Sequence, residues 1–243
     1  MAKKSRLPAG HQHLCDLLFD QGFGERRVCD GLIQRGLVHV NGEVIDDPEA
    51  VFPAEGLAMV VDGMPWVSHV RALVMLHKPA GYECSLKPGA WPGVHNLLPP
   101  PLRRRGLQPV GRLDQDTTGL LLMTDDGPLL HQLTSPKKNV PKVYEVTCKH
   151  PVTPAMCEKL LKGVVLDDDP LPVAAAEATL GADPHHLRLT LLQGKYHQVK
   201  RMVAAVGNRV EGLHRSQIGR LSLPADLAPG QWCWIDDPAV VLP

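Results

Sequence analysis

Gly111-Arg112-Leu113-Asp114-Gln115-Asp116-Thr117-Thr118-Gly119-Leu120-Leu121-Leu122-Met123-Thr124 sets two carboxylates in a Gly- and Thr-rich turn directly ahead of an apolar strand. A strand anchored in a core holds the loop it carries, and charged residues on such loops commonly do catalytic or binding work. Taken alone, Asp114 and Asp116 read equally well as turn residues whose side-chain oxygens bond the neighbouring backbone. Gly111 and Gly119 fit backbone angles barred to other residues. The surroundings of the run decide between the two readings.

The chain has 243 residues, enough for a small domain joined to a larger one with a buried core. No apolar run approaches the roughly 20 residues that span a bilayer. The start Met-Ala-Lys-Lys-Ser-Arg has no apolar stretch behind it, so a cytoplasmic protein without a membrane partner is expected. The six cysteines lie far apart with no Cys-x-x-Cys, and the twelve histidines are scattered. Free thiols and no metal site are the expectation.

Formal net charge is zero, so affinity for a polyanion must rest on local clustering. From Lys195 to Arg220 there are six Lys/Arg (195, 200, 201, 209, 215 and 220) against one acid, Glu211. Lys137, Lys138, Lys142 and Lys149 form a second basic stretch, while acids gather at Asp46-Asp47, Asp125-Asp126 and Asp167-Asp168-Asp169. The lysine stretch is equally a solvated surface.

Upstream, Leu14, Leu17 and Leu18 recur at helical spacing, Gly22 and Gly24 interrupt, and Val28, Leu32 and Ile33 resume until Gly36. A helical hairpin follows from that spacing. Leu37-Val38-His39-Val40 then alternates toward Asn41-Gly42, a tight-hairpin signal, with Glu43-Val44-Ile45 as partner strand and Leu57 to Val61 as another. Residues 63–68 read as a linker, giving domains at 1–68 and 69–243.

The front module resembles the S4 RNA-binding domain, an αL-type fold, through its helical pair followed by Gly36-Leu37-Val38-His39-Val40-Asn41-Gly42. The resemblance implies an RNA surface built from basic residues around the second helix, here Arg26, Arg27 and Arg35, helped by Lys3, Lys4 and Arg6. Such contacts hold phosphates without reading sequence. The module to Val70 carries six Lys/Arg against ten Asp/Glu, so its positive charge must be gathered on one helix face.

In the second region, Ala72 to Leu76 reads as a buried strand ended by Pro79-Ala80-Gly81. Residues 85–106, rich in Pro and Gly and ending in Arg103-Arg104-Arg105, read as a long loop with a basic tip. Further elements are a helix from Gly127 to about Leu133, a strand Lys142 to Cys148 and a helix from Pro154 to Gly163. Asp125-Asp126 caps the first of these helices and Thr153-Pro154 begins the second. After these come a strand Leu187 to Leu192, a helix Tyr196 to Val206 and a strand Val210 to His214. This mixture points to an α+β domain on a largely antiparallel mixed sheet flanked by helices.

Three segments of this region resemble the pseudouridine synthases, in the branch that modifies ribosomal RNA and carries an S4 domain in front. They are Gly111 to Leu120, Lys142-Val143-Tyr144, and Gly194-Lys195-Tyr196-His197-Gln198-Val199-Lys200-Arg201-Met202. The resemblance implies that Asp114 is the catalytic aspartate, Tyr144 the tyrosine packing on the target base and Lys200 the basic partner of the aspartate, with Arg112 or Arg201 as substitutes. Leu213, in Leu213-His214-Arg215-Ser216-Gln217-Ile218-Gly219, matches an apolar pocket residue. Arg112 is expected to steady the loop or meet phosphate and Asp116 to hold the loop through backbone hydrogen bonds. His197 and Gln198 either line the pocket or start the helix.

The implied reaction isomerises a uridine within an RNA chain, consumes no outside reagent and requires no cofactor. A carboxylate suits it as nucleophile or base toward sugar or ring. The target must leave the base stack, and an aromatic ring such as Tyr144 recovers about 1–3 kcal/mol of lost stacking. Within the family, Tyr196-His197-Gln198-Val199-Lys200-Arg201-Met202 and Leu213-His214-Arg215 resemble the branch acting on small-subunit (16S) RNA, and the large-subunit (23S) branch is the alternative. The expected partner is ribosomal RNA, naked or in a subunit assembly intermediate, and the expected state a monomer. Two other classes compete: an inactive assembly factor, against which Asp114, Tyr144 and Lys200 stand together, and a hydrolase using Asp114 and Asp116, which calls for a metal set or an aromatic sugar cleft.

Overall fold

The computed structural model describes residues 7–166 and 169–242. Lys3, Lys4, Arg6, Asp167 and Asp168 lie outside the described residues. The chain divides into two compact units, one formed by residues up to Ala72 with Leu98–Leu107, the other by Leu73–Leu97 with residues from Gln108 onward.

In the first unit, helices Leu14–Asp20 and Arg26–Gln34 pack through Leu14, Leu17, Leu18, Cys29 and Ile33, all buried. Beside them lies a four-stranded antiparallel sheet in the order Glu43–Val44, Val38–Val40, Ala58–Val61, Met64–Val67. Asn41 and Gly42 both have positive φ, 53° and 85°, as the expected two-residue hairpin requires. Part of the stretch expected to be a linker is instead the edge strand Met64–Val67, turned back by Asp62-Gly63. Pro65 disguises it in the sequence, yet an edge strand tolerates proline. A further short pairing, His11–His13 with Val51–Pro53, gives no signal in the sequence.

The expected long loop is also interrupted. Residues 94–97 form a 3-10 turn, and Pro100–Arg105 is a helix that belongs to the first unit. Two prolines at its first positions and Gly106 at φ 69° bound it, and its three arginines favour the carbonyl end. Arg105 donates to Gln21 Oε1 at 3.1 Å and to the His69 carbonyl at 2.7 Å. Of the basic tip, Arg103 and Arg104 remain exposed.

The second unit is built on a nine-stranded sheet. Its main path runs Glu177–Leu180, His186–Leu191, Lys142–Cys148, Val210–Ile218, Thr118–Thr124, Leu73–Lys78, Trp232–Trp234. All neighbours on this path are antiparallel except Val210–Ile218 beside Thr118–Thr124, where His214 aligns with Thr118 and Arg215 with Gly119. Strands Thr118–Thr124 and Leu73–Lys78 are buried along almost their whole length, which is why they read as continuous apolar runs. Leu73, Met75, Leu120, Leu122 and Ile218 meet Val110, Leu133, Val140 and Val241 in one core cluster.

The sheet places residues 111–117, with Asp114 and Asp116, between two of its strands. Gln108–Val110 pairs antiparallel with the far end of Thr118–Thr124, so residues 111–117 form a hairpin loop rooted at both ends in the core. Gly119 follows with φ 108°, and a Cβ there would stand 2.3 Å from the Arg215 carbonyl oxygen. Only glycine lets the two parallel strands approach this closely. Asp126 and Thr153 cap helices Gly127–Thr134 and Pro154–Lys162 with their side chains as expected.

Candidate active site

The loop of residues 111–117 is held from beneath by two buried cations. Lys78, fully buried, donates to the carbonyls of Thr117 at 2.7 Å, Pro79 at 3.0 Å and Gln115 at 3.2 Å. Arg215, 1% exposed, donates to the Leu120 carbonyl at 2.9 Å and the Gly111 carbonyl at 3.1 Å. Backbone carbonyls thus stand where carboxylates usually would, satisfying each cation while fixing both ends of the loop. Burial holds the Lys78 pKa below its ordinary value.

Neither residue shows this bracing role in the sequence, although Arg215 falls in the basic stretch and in Leu213-His214-Arg215. The strand expected to end at His214 runs on to Ile218, with Arg215 inside it. The signal for burial is a charged residue in a strand that lies between two others.

Above the loop lies a cleft of about 570 Å³ lined by Arg112, Asp114, Lys142, Tyr144, Tyr196, His197, Lys200 and Leu213, among others. Lys200 brings the two acids together. Its Nζ lies 3.2 Å from Asp114 Oδ2 and donates to Asp116 Oδ1 at 2.7 Å and Oδ2 at 2.9 Å. Asp114 Oδ1 has His197 Nε2 at 3.3 Å. Asp116, expected to brace the loop through the backbone, is therefore also the closer partner of Lys200. Burial raises the Asp116 pKa, but the hydrogen bond and charge of Lys200 outweigh it and the net shift is downward. Burial lowers that of Lys200, and the two aspartates overturn that as well, leaving it raised.

These opposite shifts fix the pH window of the cluster. The stability Asp116 contributes is present above its ordinary value of 3.8 and is lost as pH falls through its lowered folded value. Lys200 contributes below its ordinary value of 10.5, and that contribution is lost as pH rises through its raised folded value. The pair is intact throughout the neutral range. Lys200→Met is expected to flatten the fall of thermal stability on the acid side. Unfolding midpoints measured from neutral pH down to about pH 2 check this.

His197 has φ 46°, in the left-handed region, and this turn delays the helix, which spans Gln198–Ala205 and excludes Tyr196. The turn stacks the His197 ring on Tyr196, centroids 3.8 Å apart. The delayed start reflects a conformation rarely adopted by a residue with a Cβ. Tyr144, 9% exposed, lines the cleft from strand Lys142–Cys148. Arg112 is exposed at the rim, and Arg201 donates to the Tyr196 carbonyl at 3.1 Å.

Asp114, Tyr144, Lys200, Arg112, His197 and Leu213 thus line one cleft, with Arg201 bracing a lining residue. Arg26, Arg27 and Arg35 are exposed on the first unit. Arg26 is engaged there, ion-paired to Asp16 and lying over the Phe19 ring at 4.7 Å. Among the described residues no group of three metal-ligating side chains occurs, and no helix is long and apolar enough to cross a membrane.

The arrangement is a held carboxylate beside a cation, in a cleft of the size that takes a small organic group. A sequence profile of the family described as RNA pseudouridylate synthase matches residues 72–205, and one of the S4 domain matches residues 14–51. The Ribosomal small subunit pseudouridine synthase A of Escherichia coli (strain K12) is 42% identical over 222 residues, covering 89% of this chain and 94% of that protein. The protein of the same name from Pasteurella multocida (strain Pm70) is 38% identical over 208 residues, covering 85% and 88%. A solved structure described as a crystal structure of pseudouridylate synthase superposes with a TM-score of 0.66 at 32% identity, covering 94% of this chain and 97% of that one.

Proposed function

The chain belongs to the RNA pseudouridylate synthase family, and we propose that it converts a uridine of small-subunit (16S) ribosomal RNA to pseudouridine, with Asp114 as the catalytic carboxylate. The observation that carries this reading is the Asp114 side chain 3.2 Å from Lys200 in the same cleft as Tyr144. The names of the two curated relatives supply the small-subunit assignment.

In the reaction the bond from the sugar to a ring nitrogen breaks, the uracil turns, and a bond from the sugar to a ring carbon forms. The proton lost from that carbon is balanced by one gained at the nitrogen, so no reagent is consumed. The target nucleotide leaves the stack at a cost of a few kcal/mol, and Tyr144 supplies the ring against which the extruded uracil packs. Lys200 sets its ammonium 3.2 Å from Asp114 and so holds the carboxylate in place for attack or proton removal. Arg112 at the rim meets phosphate. The S4 unit adds sequence-independent affinity through Arg27 and Arg35, with Arg26 contributing less because Asp16 and Phe19 hold it.

Unmodified small- and large-subunit ribosomal RNA, each naked and in subunit particles, is incubated with the protein and pseudouridine is mapped. Product confined to small-subunit RNA is expected. Product confined to large-subunit RNA would transfer the enzyme to the other branch, and binding without product would make it an assembly factor. Arg27→Ala and Arg35→Ala should each weaken RNA binding and lower the salt slope of affinity by about one, as loss of a phosphate contact does. Binding titrations across salt concentrations measure this.

A further inference from the structure

Lys142 stands apart from the other cations of the cleft. Lys200 is taken by Asp114 and Asp116, and Lys78 and Arg215 are taken by loop carbonyls. Lys142 is half-buried in the cleft wall, and its ammonium has one hydrogen bond, to the Val140 carbonyl at 2.8 Å. Among the described residues no carboxylate pairs with it. The charged group that acts on it is another cation, Arg215 from the neighbouring strand. Burial first, and that like charge second, bring its pKa down to about 8. A desolvated ammonium without a counter-ion is unfavourable for the fold, and such arrangements persist where a ligand supplies the missing charge.

The position says which part of the substrate that is. Lys142 and Tyr144 lie two residues apart on one strand and line the same cleft, a separation of roughly 7 Å. A ring packed on Tyr144 therefore presents its edge toward the ammonium. Phosphates, which keep their hydration, are better met by Arg112 and Lys195, both exposed at the rim. Negative charge gathers on a uracil carbonyl oxygen whether Asp114 adds to the ring or the ring departs from the sugar with the bonding electron pair. A hydrogen-bond donor preorganised at that oxygen stabilises both routes, most strongly away from water.

We propose that the Lys142 ammonium is a further catalytic group, donating a hydrogen bond to a carbonyl oxygen of the target uracil and stabilising the negative charge the ring acquires as its bond to the sugar breaks. This rests on the proposed synthase activity. The test uses the full chain and a small-subunit RNA transcript tritiated at the ring carbon that becomes bonded to the sugar, with single-turnover tritium release and RNA affinity as readouts. Lys142→Met is expected to slow release by about 100-fold or more, the loss typical of removing one such donor, with affinity and its salt slope unchanged. Because the variant removes an unfavourable buried charge, it should melt no lower than the parent. Lys142→Arg, which keeps a donor and its charge, should recover at least about tenfold of the loss.

Release by Lys142→Met within threefold of the parent would overturn the assignment. So would a lost rate matched by weaker RNA binding and a salt slope smaller by about one, the signature of a phosphate contact. Unfolding of Lys142→Met with no rate defect in a folded Lys142→Gln, which removes the charge, would overturn it as well. A parent protein that releases no tritium from any ribosomal RNA fails the synthase reading itself, which keeps the two failures distinct.

Discussion

Asp114→Ala should abolish pseudouridine formation, by about 10⁴-fold or more, while RNA affinity stays within about twofold and the melting temperature is unchanged. The magnitude is that expected when a group acting directly on the reacting atoms is removed. The clean separation from stability follows from how the loop is held. Lys78 and Arg215 grip its backbone carbonyls, not its acids, and Lys200 keeps both hydrogen bonds to Asp116 when Asp114 is truncated. The exposed arginines proposed to meet phosphate are untouched. Pseudouridine mapping, filter binding and a thermal melt on one preparation check all three parts. Activity within tenfold of the parent would remove Asp114 from the chemistry.

Arg215→Met is expected to damage fold and catalysis together. The guanidinium is 1% exposed and bridges carbonyls at the two ends of the catalytic hairpin, Gly111 and Leu120. Methionine fills much of the volume but leaves both carbonyls buried without that donor, costing about 2–5 kcal/mol. In a unit of this size that lowers the unfolding temperature by roughly 5–15 °C. The loop then loses its anchor, and a misplacement of about 1 Å at Asp114 costs ~10²-fold in rate. Arg215→Lys keeps the charge without the fork, so it should recover only part of either loss. Denaturant titration with kcat at a temperature where the variant is folded separates the two effects. A variant that melts with the parent would show that the carbonyls find other donors.

What the sequence made legible was local. Asn41-Gly42 announces its hairpin because the turn needs two positive φ angles, Asp126 and Thr153 announce helix starts because their side chains satisfy free N–H groups, and Lys142 to Cys148 alternates as a strand. Asp114, Tyr144 and Lys200 could be picked out because the segments around them resemble a known family, and the fold gathers those segments into one cleft.

The illegible part depended on partners far along the chain. Lys78 and Arg215 read as charged and therefore superficial, yet they are buried. The carbonyls that satisfy them come from Gln115, Thr117, Gly111 and Leu120, and no local pattern records that. The same cause shortened the expected strand at His214. Met64–Val67 was hidden by a proline that only an edge strand accepts, and the start of Gln198–Ala205 by the left-handed turn at His197. The asymmetry between the acids was also invisible, since which one Lys200 holds more closely is a matter of geometry.

The most direct test of the synthase assignment follows the hydrogen that the isomerisation must expel. Small- and large-subunit transcripts carrying tritium at the uracil carbon that joins the sugar are incubated with the protein and with Asp114→Ala. The parent should release about one tritium per small-subunit RNA and none from large-subunit RNA, and the variant should release none. No release by the parent, or equal release by parent and variant, would contradict the account.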